Sequence, residues 1–179
     1  MKNIIFAIGA LAAVVVVYLL APGINNKQNL FLEEKPEFFM TEFIQYDTNE
    51  QGVIDKKTMG TKIDIYDKKD YSFIESPVIT VTKKDGLEFK LKAANGQKFS
   101  QDKILLSGGV HVTNNLPTFI ETMQTAELWL YPNINFAETE KKVAISRNAS
   151  TTRGTGAKFH IDVNKVELLS DATTIYNIE

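Results

Sequence analysis

Side chains able to do chemistry are few in this chain and badly spaced for it. There are no cysteines, so disulfides, thiolate nucleophiles, cysteine metal sites and a lipid-modified N-terminal cysteine are excluded. The two histidines, His111 and His160, are isolated, and a lone histidine in an alternating segment is more often on a strand surface than a metal ligand. A Ser/His/Asp set built on either would be no more specific than one drawn from any chain of this size. Asp64, Asp67, Asp70 and Asp85 could be read as paired carboxylates for glycoside hydrolysis, but they fall at alternate and turn positions, where solvated charges belong. Gly154-Thr155-Gly156 lacks the strand-to-helix setting and the third glycine of a dinucleotide loop, and reads as a hairpin turn. No Walker sequence, Gly-x-Ser-x-Gly elbow or His-Glu-x-x-His is present. Asn148-Ala149-Ser150 fits a glycosylation sequon by spacing only. The residues therefore predict neither a catalytic set, nor a metal site, nor a cofactor.

Charge narrows the partners further. A net charge of −2 with lysines interleaved among acids supplies no basic field for nucleic acid. Ile4 to Ala21 is an uncharged apolar run; as a helix of about 18 residues it spans about 27 Å, close to a bilayer core. It exceeds the usual length of a signal-peptide apolar region, and Leu20-Ala21-Pro22-Gly23 offers no small-x-small cleavage site, so a retained anchor is expected. Lys2 before the run and Glu33-Glu34 after it favour a cytoplasmic N-terminus and an exported remainder. Gly9, Ala10, Ala12 and Ala13 would let a second helix approach. The expected organisation is an anchor over 1–24, a tether over 25–37 broken from it by Pro22-Gly23, and one folded domain over 38–179.

From Phe38 onward the hydrophobic period is two. Leu87 to Lys92, Ile63 to Ile65 and Phe159 to Val163 alternate, as strands with one buried and one wet face must. Turn signals stand at Asn49 to Gly52, Asp85-Gly86, Asn95-Gly96, Gly108-Gly109, Asn114-Asn115, Pro132-Asn133 and Gly154 to Gly156. Leu128-Trp129-Leu130-Tyr131 is apolar on both faces, so its outside is covered or carries aromatics at a sheet margin. The last segment, from Thr173, is a natural sheet edge.

One stretch recurs. Ala94 to Ser107 has a clear copy at Ala157 to Ser170, a weaker one at Ala126 to Thr139, and an upstream trace at Phe73 to Ser76, spaced about 31 residues apart. Hairpin units that cannot bury an apolar face alone stack into a quasi-linear array. Its two inner faces can remain open as an apolar groove suited to an acyl chain, at about 0.8 kcal/mol per buried methylene. An ordinary sandwich with a closed core is the alternative. Free edges at the two ends of such an array can accept a strand from another chain.

The anchor, the tether and this hairpin series resemble the lipopolysaccharide transport protein C (LptC) family. The likeness rests on the Gly52 turn, Glu75 to Val81, Leu91 to Gly96, Leu106 to Val110, and Gly156 to Phe159 running into Val166 to Ser170. Gly109 to Glu121 gives little to match. The resemblance implies an all-β, twisted, open β-jellyroll of two antiparallel sheets in the periplasm of a Gram-negative cell, behind one inner-membrane helix. It implies a non-enzymatic carrier that takes lipopolysaccharide from an inner-membrane ABC transporter at its N-terminal edge and passes it to an LptA-like protein at its C-terminal edge. Gly52 and Gly156 match positions where the family prefers glycine, both expected where strands reverse. The apolar side of the alternation offers Ile63, Ile65, Ile74, Ile79, Val81, Phe89, Leu91, Phe159, Ile161, Leu168 and Tyr176 as groove residues. Exposed edges leave homodimerisation open when partners are absent. A membrane-held adaptor that recruits partners through its edges without touching lipid is the competing reading; a small periplasmic hydrolase is a third.

Overall fold

Alternating sequences with turn residues between them pair in order here, because short hairpins close at little entropic cost. A computed structural model describes residues 35–99 and 103–176. Eleven strands form one antiparallel sheet: β1 (Phe38–Thr48), β2 (Ile54–Tyr66), β3 (Tyr71–Glu75), β4 (Val78–Thr82), β5 (Glu88–Lys92), β6 (Asn95–Phe99), β7 (Ile104–Asn115), β8 (Ile120–Tyr131), β9 (Phe136–Arg147), β10 (Ser150–His160) and β11 (Lys165–Tyr176). Among the described residues no helix is long and apolar enough to cross a membrane. The expected anchor, Ile4 to Ala21, lies outside the described residues.

The long strands bend at their middles, and the bends divide the sheet into two layers. β2 pairs with β3 through 62–66 but with β4 through 56–59, and β7 pairs with β6 through 104–107 but with β5 through 111–114. β3 and β4 thus act as one kinked strand, with Ser76 at φ 50° in the kink; β5 and β6 act as another, kinked at Ala93-Ala94. The register of β7 shifts between Ser107 and Val110, that of β8 between Thr125 and Trp129, and that of β10 between Thr155 and Ala157. Buried side chains from both halves, among them Ile79, Leu91 and Val112 of one layer and Leu106, Leu130 and Phe159 of the other, make one cluster. The layers therefore pack face to face.

This geometry explains the repeat. Ala126 to Thr139 and Ala157 to Ser170 each run from one bend, out along the first layer, round a turn and back to the next bend, and Ala94 to Ser107 supplies the matching antiparallel pair, β6 and the start of β7. The residues between successive copies form the hairpins of the second layer. Three expected turns are corrected by it. Gly108-Gly109 and Gly154 to Gly156 lie inside β7 and β10, and Asn95-Gly96 opens β6. At φ 81° and 72°, Gly108 and Gly156 give their strands a bulge and a bend without reversal. Gly96 needs no special φ; a side chain on it would press Pro77 Cγ at 3.1 Å. Gly52, at φ 77° before β2, does occupy a reversal.

Gly109 to Glu121 is the outer half of β7, a turn at 116–119 and the start of β8. Leu128 and Leu130 face the interior, while Trp129 and Tyr131 face outward beside Phe99 and Phe136, each pair with ring centres 5.8 Å apart. The strand that is apolar on both faces is thus a core strand whose outside carries an aromatic row.

Candidate functional site

Inward positions on facing strands fall into rows across the sheet, since direct cross-strand partners share a face. In the first layer one row runs Ile63, Ile74, Gly96, Leu106, Leu128. In the second, Ile79, Leu91, Val112, Met123 and Ile145 continue into Thr152 and Thr174, whose hydroxyls lie 2.9 Å apart. The rows face one another and enclose an apolar interior.

Of the expected groove residues, Ile79, Val81, Phe89, Leu91, Phe159 and Ile161 belong to the main buried cluster, with Leu168 packed against it. Ile63 and Ile74 form a second cluster with Phe43, flanked by Ile65, nearer the β1 end. Tyr176 stands apart. It takes an inward register position opposite Ser150 but is 72% exposed, because among the described residues β11 is an edge paired with β10 alone. In the middle the interior is a packed, dry core; Phe89 is 2% exposed. Its ends differ: on β1, Phe38 and Met40 share the inward side with Ile65 and Ile63 yet are 64% and 49% exposed.

The side chains considered for catalysis are not brought together. His111 is exposed on the outside of β7, opposite Lys92 and Gln124. His160 lies outside β10, with Nε2 3.4 Å from Glu167. Asp64 pairs with Lys62 at 2.7 Å, Asp67 and Asp70 bound a single 3-10 turn, and Asp85 accepts the Leu87 amide at 3.0 Å. Among the described residues no group of three or more His, Asp or Glu converges on a metal-sized space.

One polar system inside the fold escaped the sequence reading. Lys83 continues the inward series Ile79, Val81 and is 4% exposed. Its ammonium donates to Asn114 Oδ1 at 3.0 Å, the Asn115 carbonyl at 2.6 Å and Asn164 Oδ1 at 2.9 Å. Burial pushes its pKa below the ordinary lysine value, with Asp85 and Glu121 opposing that effect. Asn114 Nδ2 donates to Glu121 Oε1 at 3.5 Å, and Arg147 binds the other oxygen of Glu121. Parity was the available signal: 79, 81 and 83 share a face, but Lys83-Lys84-Asp85-Gly86 reads as a wet turn.

A second ion pair sits at the β1 end of the same margin. Burial alone would raise the Asp47 pKa, but the Lys56 ammonium 3.0 Å from Oδ2 and a hydrogen bond from Gln45 (2.9 Å) to Oδ1 outweigh it and hold the carboxyl below its ordinary 3.8. A depressed folded-state value contributes stability above the unfolded-state pKa and loses it as pH falls through the folded one. Urea midpoints of the protein and of Asp47→Asn should therefore differ at pH 6 and converge below pH 3.8; a difference that persists at acid pH would mean the pair contributes through packing instead.

Comparison with known proteins adds two findings. The model of the family described as "Lipopolysaccharide-assembly, LptC-related" matches residues 5–177. The structure of LptH, the LptA-homologous periplasmic component of the lipopolysaccharide transport device of Pseudomonas aeruginosa, superposes with a TM-score of 0.54 at 10% identity, covering 76% of this chain and 96% of that one. That likeness is one of fold. No curated protein matches the sequence.

Proposed function

Because the chain belongs to the lipopolysaccharide-assembly, LptC-related family, we propose that its β domain is a lipopolysaccharide carrier, holding acyl chains between the two layers. The observation that carries this reading is the apolar interior itself. Both layers contribute to it, it runs parallel to the strand stack, and it is left with exposed apolar side chains at the β1 end. The apolar run at 4–21 serves as a single inner-membrane helix with the domain in the periplasm. Among the described residues β1 and β11 each have one partner strand, so the β1 edge is suited to receive the sheet of the inner-membrane ABC transporter and the β11 edge to extend into an LptA-like protein. The groove residues are Ile63, Ile65, Ile74, Ile79, Val81, Phe89, Leu91, Phe159, Ile161 and Leu168, with Tyr176 at the exit. Nothing in this role calls for catalysis by the chain.

A photo-crosslinking side chain tests the reading at neighbouring positions. Placed at inward Phe89 or Ile161 it should capture lipopolysaccharide, and at outward Lys90, which pairs with Thr80 and Thr113, it should not. Capture at Lys90 alone would remove the carrier function.

The closed middle of the interior favours one second reading, an adaptor that assembles partners through its edges and never admits lipid. It requires that Ile175→Pro abolish capture of an LptA-like partner, by removing a backbone donor from β11, while neither inward crosslinker labels lipid.

A further inference from the structure

Opposite the bends, the turn ends of the two layers face each other. Towards β1 they stand apart around a polar cleft of about 960 Å³, with Asp47, Asp55 and Lys56 on one side and Pro132, Asn135 and Asp162 on the other. At Lys83 they meet. Asn114 and Asn115 belong to the second layer, whereas Asn164 lies in the β10–β11 turn of the first, so one buried ammonium joins the two layers side chain to side chain. Beside it Lys84 and Asp162 approach to 3.3 Å across the same seam, both reaching solvent.

A lysine here is an expensive way to fill space, because an apolar side chain of the same volume would be buried without desolvating a charge. Its three acceptors are neutral oxygens, and the nearest buried carboxylate, Glu121, is already bound by Arg147. Such a contact differs from apolar packing in one useful respect: water can replace each of its hydrogen bonds when the layers part. The neighbouring cleft already admits solvent to the seam.

We infer that Lys83, Asn114 and Asn164 form a clasp, and that acyl chains enter the interior sideways through this seam when the clasp releases, with the bends as hinge. This use of the clasp rests on the carrier reading above.

The chain has no cysteine, so the full-length protein in lipid nanodiscs can carry a single thiol at Val112, which is buried in the interior. Without lipopolysaccharide, Lys83→Met and Asn164→Gly should each raise the labelling rate of Val112→Cys by about tenfold, by populating the open state. Asn164→Gly removes the acceptor while keeping the φ of 53° available, so it reports the clasp even where Lys83→Met fails to fold. Unchanged labelling in folded variants overturns the clasp. In a second arm, Lys84→Cys and Asp162→Cys are joined by a short reducible crosslinker. Lipopolysaccharide loading should fall by about tenfold and recover on reduction, the response of a closed gate. Equal loading by linked and reduced protein overturns side entry. Labelling that rises as expected, beside a reduced protein that takes up no lipopolysaccharide, upholds the clasp and overturns the carrier reading.

Discussion

Gly108→Val should cost about 3–5 kcal/mol, from a left-handed placement of roughly 1–2 kcal/mol, larger for a β-branched residue, and overpacking of about 1–3 kcal/mol. Gly108 sits at φ 81° in the bend of β7, and a Cβ there would stand 2.8 Å from Ala94 Cβ and 3.2 Å from Asn95 Nδ2, in the kink of the neighbouring strand. Against a total stability of about 5–15 kcal/mol, the loss leaves the domain largely unfolded or close to it at moderate denaturant. Gly86 provides the control. It has the same φ of 81°, in an exposed turn, with nothing within 4 Å of an added Cβ, so Gly86→Val pays the backbone part alone. The difference between the two urea midpoints measures how tightly the bends of adjacent strands press together. Equal midpoints would mean that this contact contributes nothing.

Phe89→Asp should abolish folding at neutral pH, while Lys90→Asp one residue on should shift stability by no more than about 0.5 kcal/mol. Truncating a buried phenylalanine costs about 3–5 kcal/mol, and an unpaired carboxylate in its place adds desolvation. Phe89 is flanked by Val81 and Asn114, neither of them cationic. Burial raises the folded-state pKa of such an aspartate, so whatever structure the variant keeps is most stable at low pH and weakens as pH rises through the unfolded value of about 3.9. Lys90 points out, with Glu88 Oε2 at 3.7 Å and both side chains partly exposed, which makes that pair nearly dispensable. Circular dichroism of the two variants from pH 3 to pH 8 reads the contrast; a folded Phe89→Asp at pH 7 would show that the interior is already wet.

Alternation made much of this fold legible. Ile63, Ile79, Val81, Phe89, Leu91, Phe159 and Ile161 face inward because a strand has no other way to place every second side chain. The repeat was legible too, through the alanines at 94, 126 and 157, each of which opens a first-layer segment at a bend. The bends themselves were not. Glycine pairs serve reversal and bulge alike, and only long-range pairing decides which, as Gly108-Gly109 illustrates. Ser76 and Asp171 take positive φ at bends without any glycine to announce them. The exposure of Tyr176 was hidden for a related reason: parity gives a face but says nothing about whether another strand lies beyond it. Lys83 was hidden by its own charge, since a lysine next to a turn is ordinarily solvated, and its partners Asn114 and Asn164 are remote in sequence.

The placement of the repeat has a consequence for how such a chain grows. One unit of about 31 residues adds a hairpin to each layer, so inserting or deleting a whole unit lengthens or shortens the interior by about 9–10 Å, two strand spacings, and leaves its cross-section alone. Reach and bore are thus set by different residues. In the carrier role proposed above, unit number fixes how far a cargo is carried, whereas the inward side chains and the bend angle fix what fits, and duplication can alter the first without touching the second.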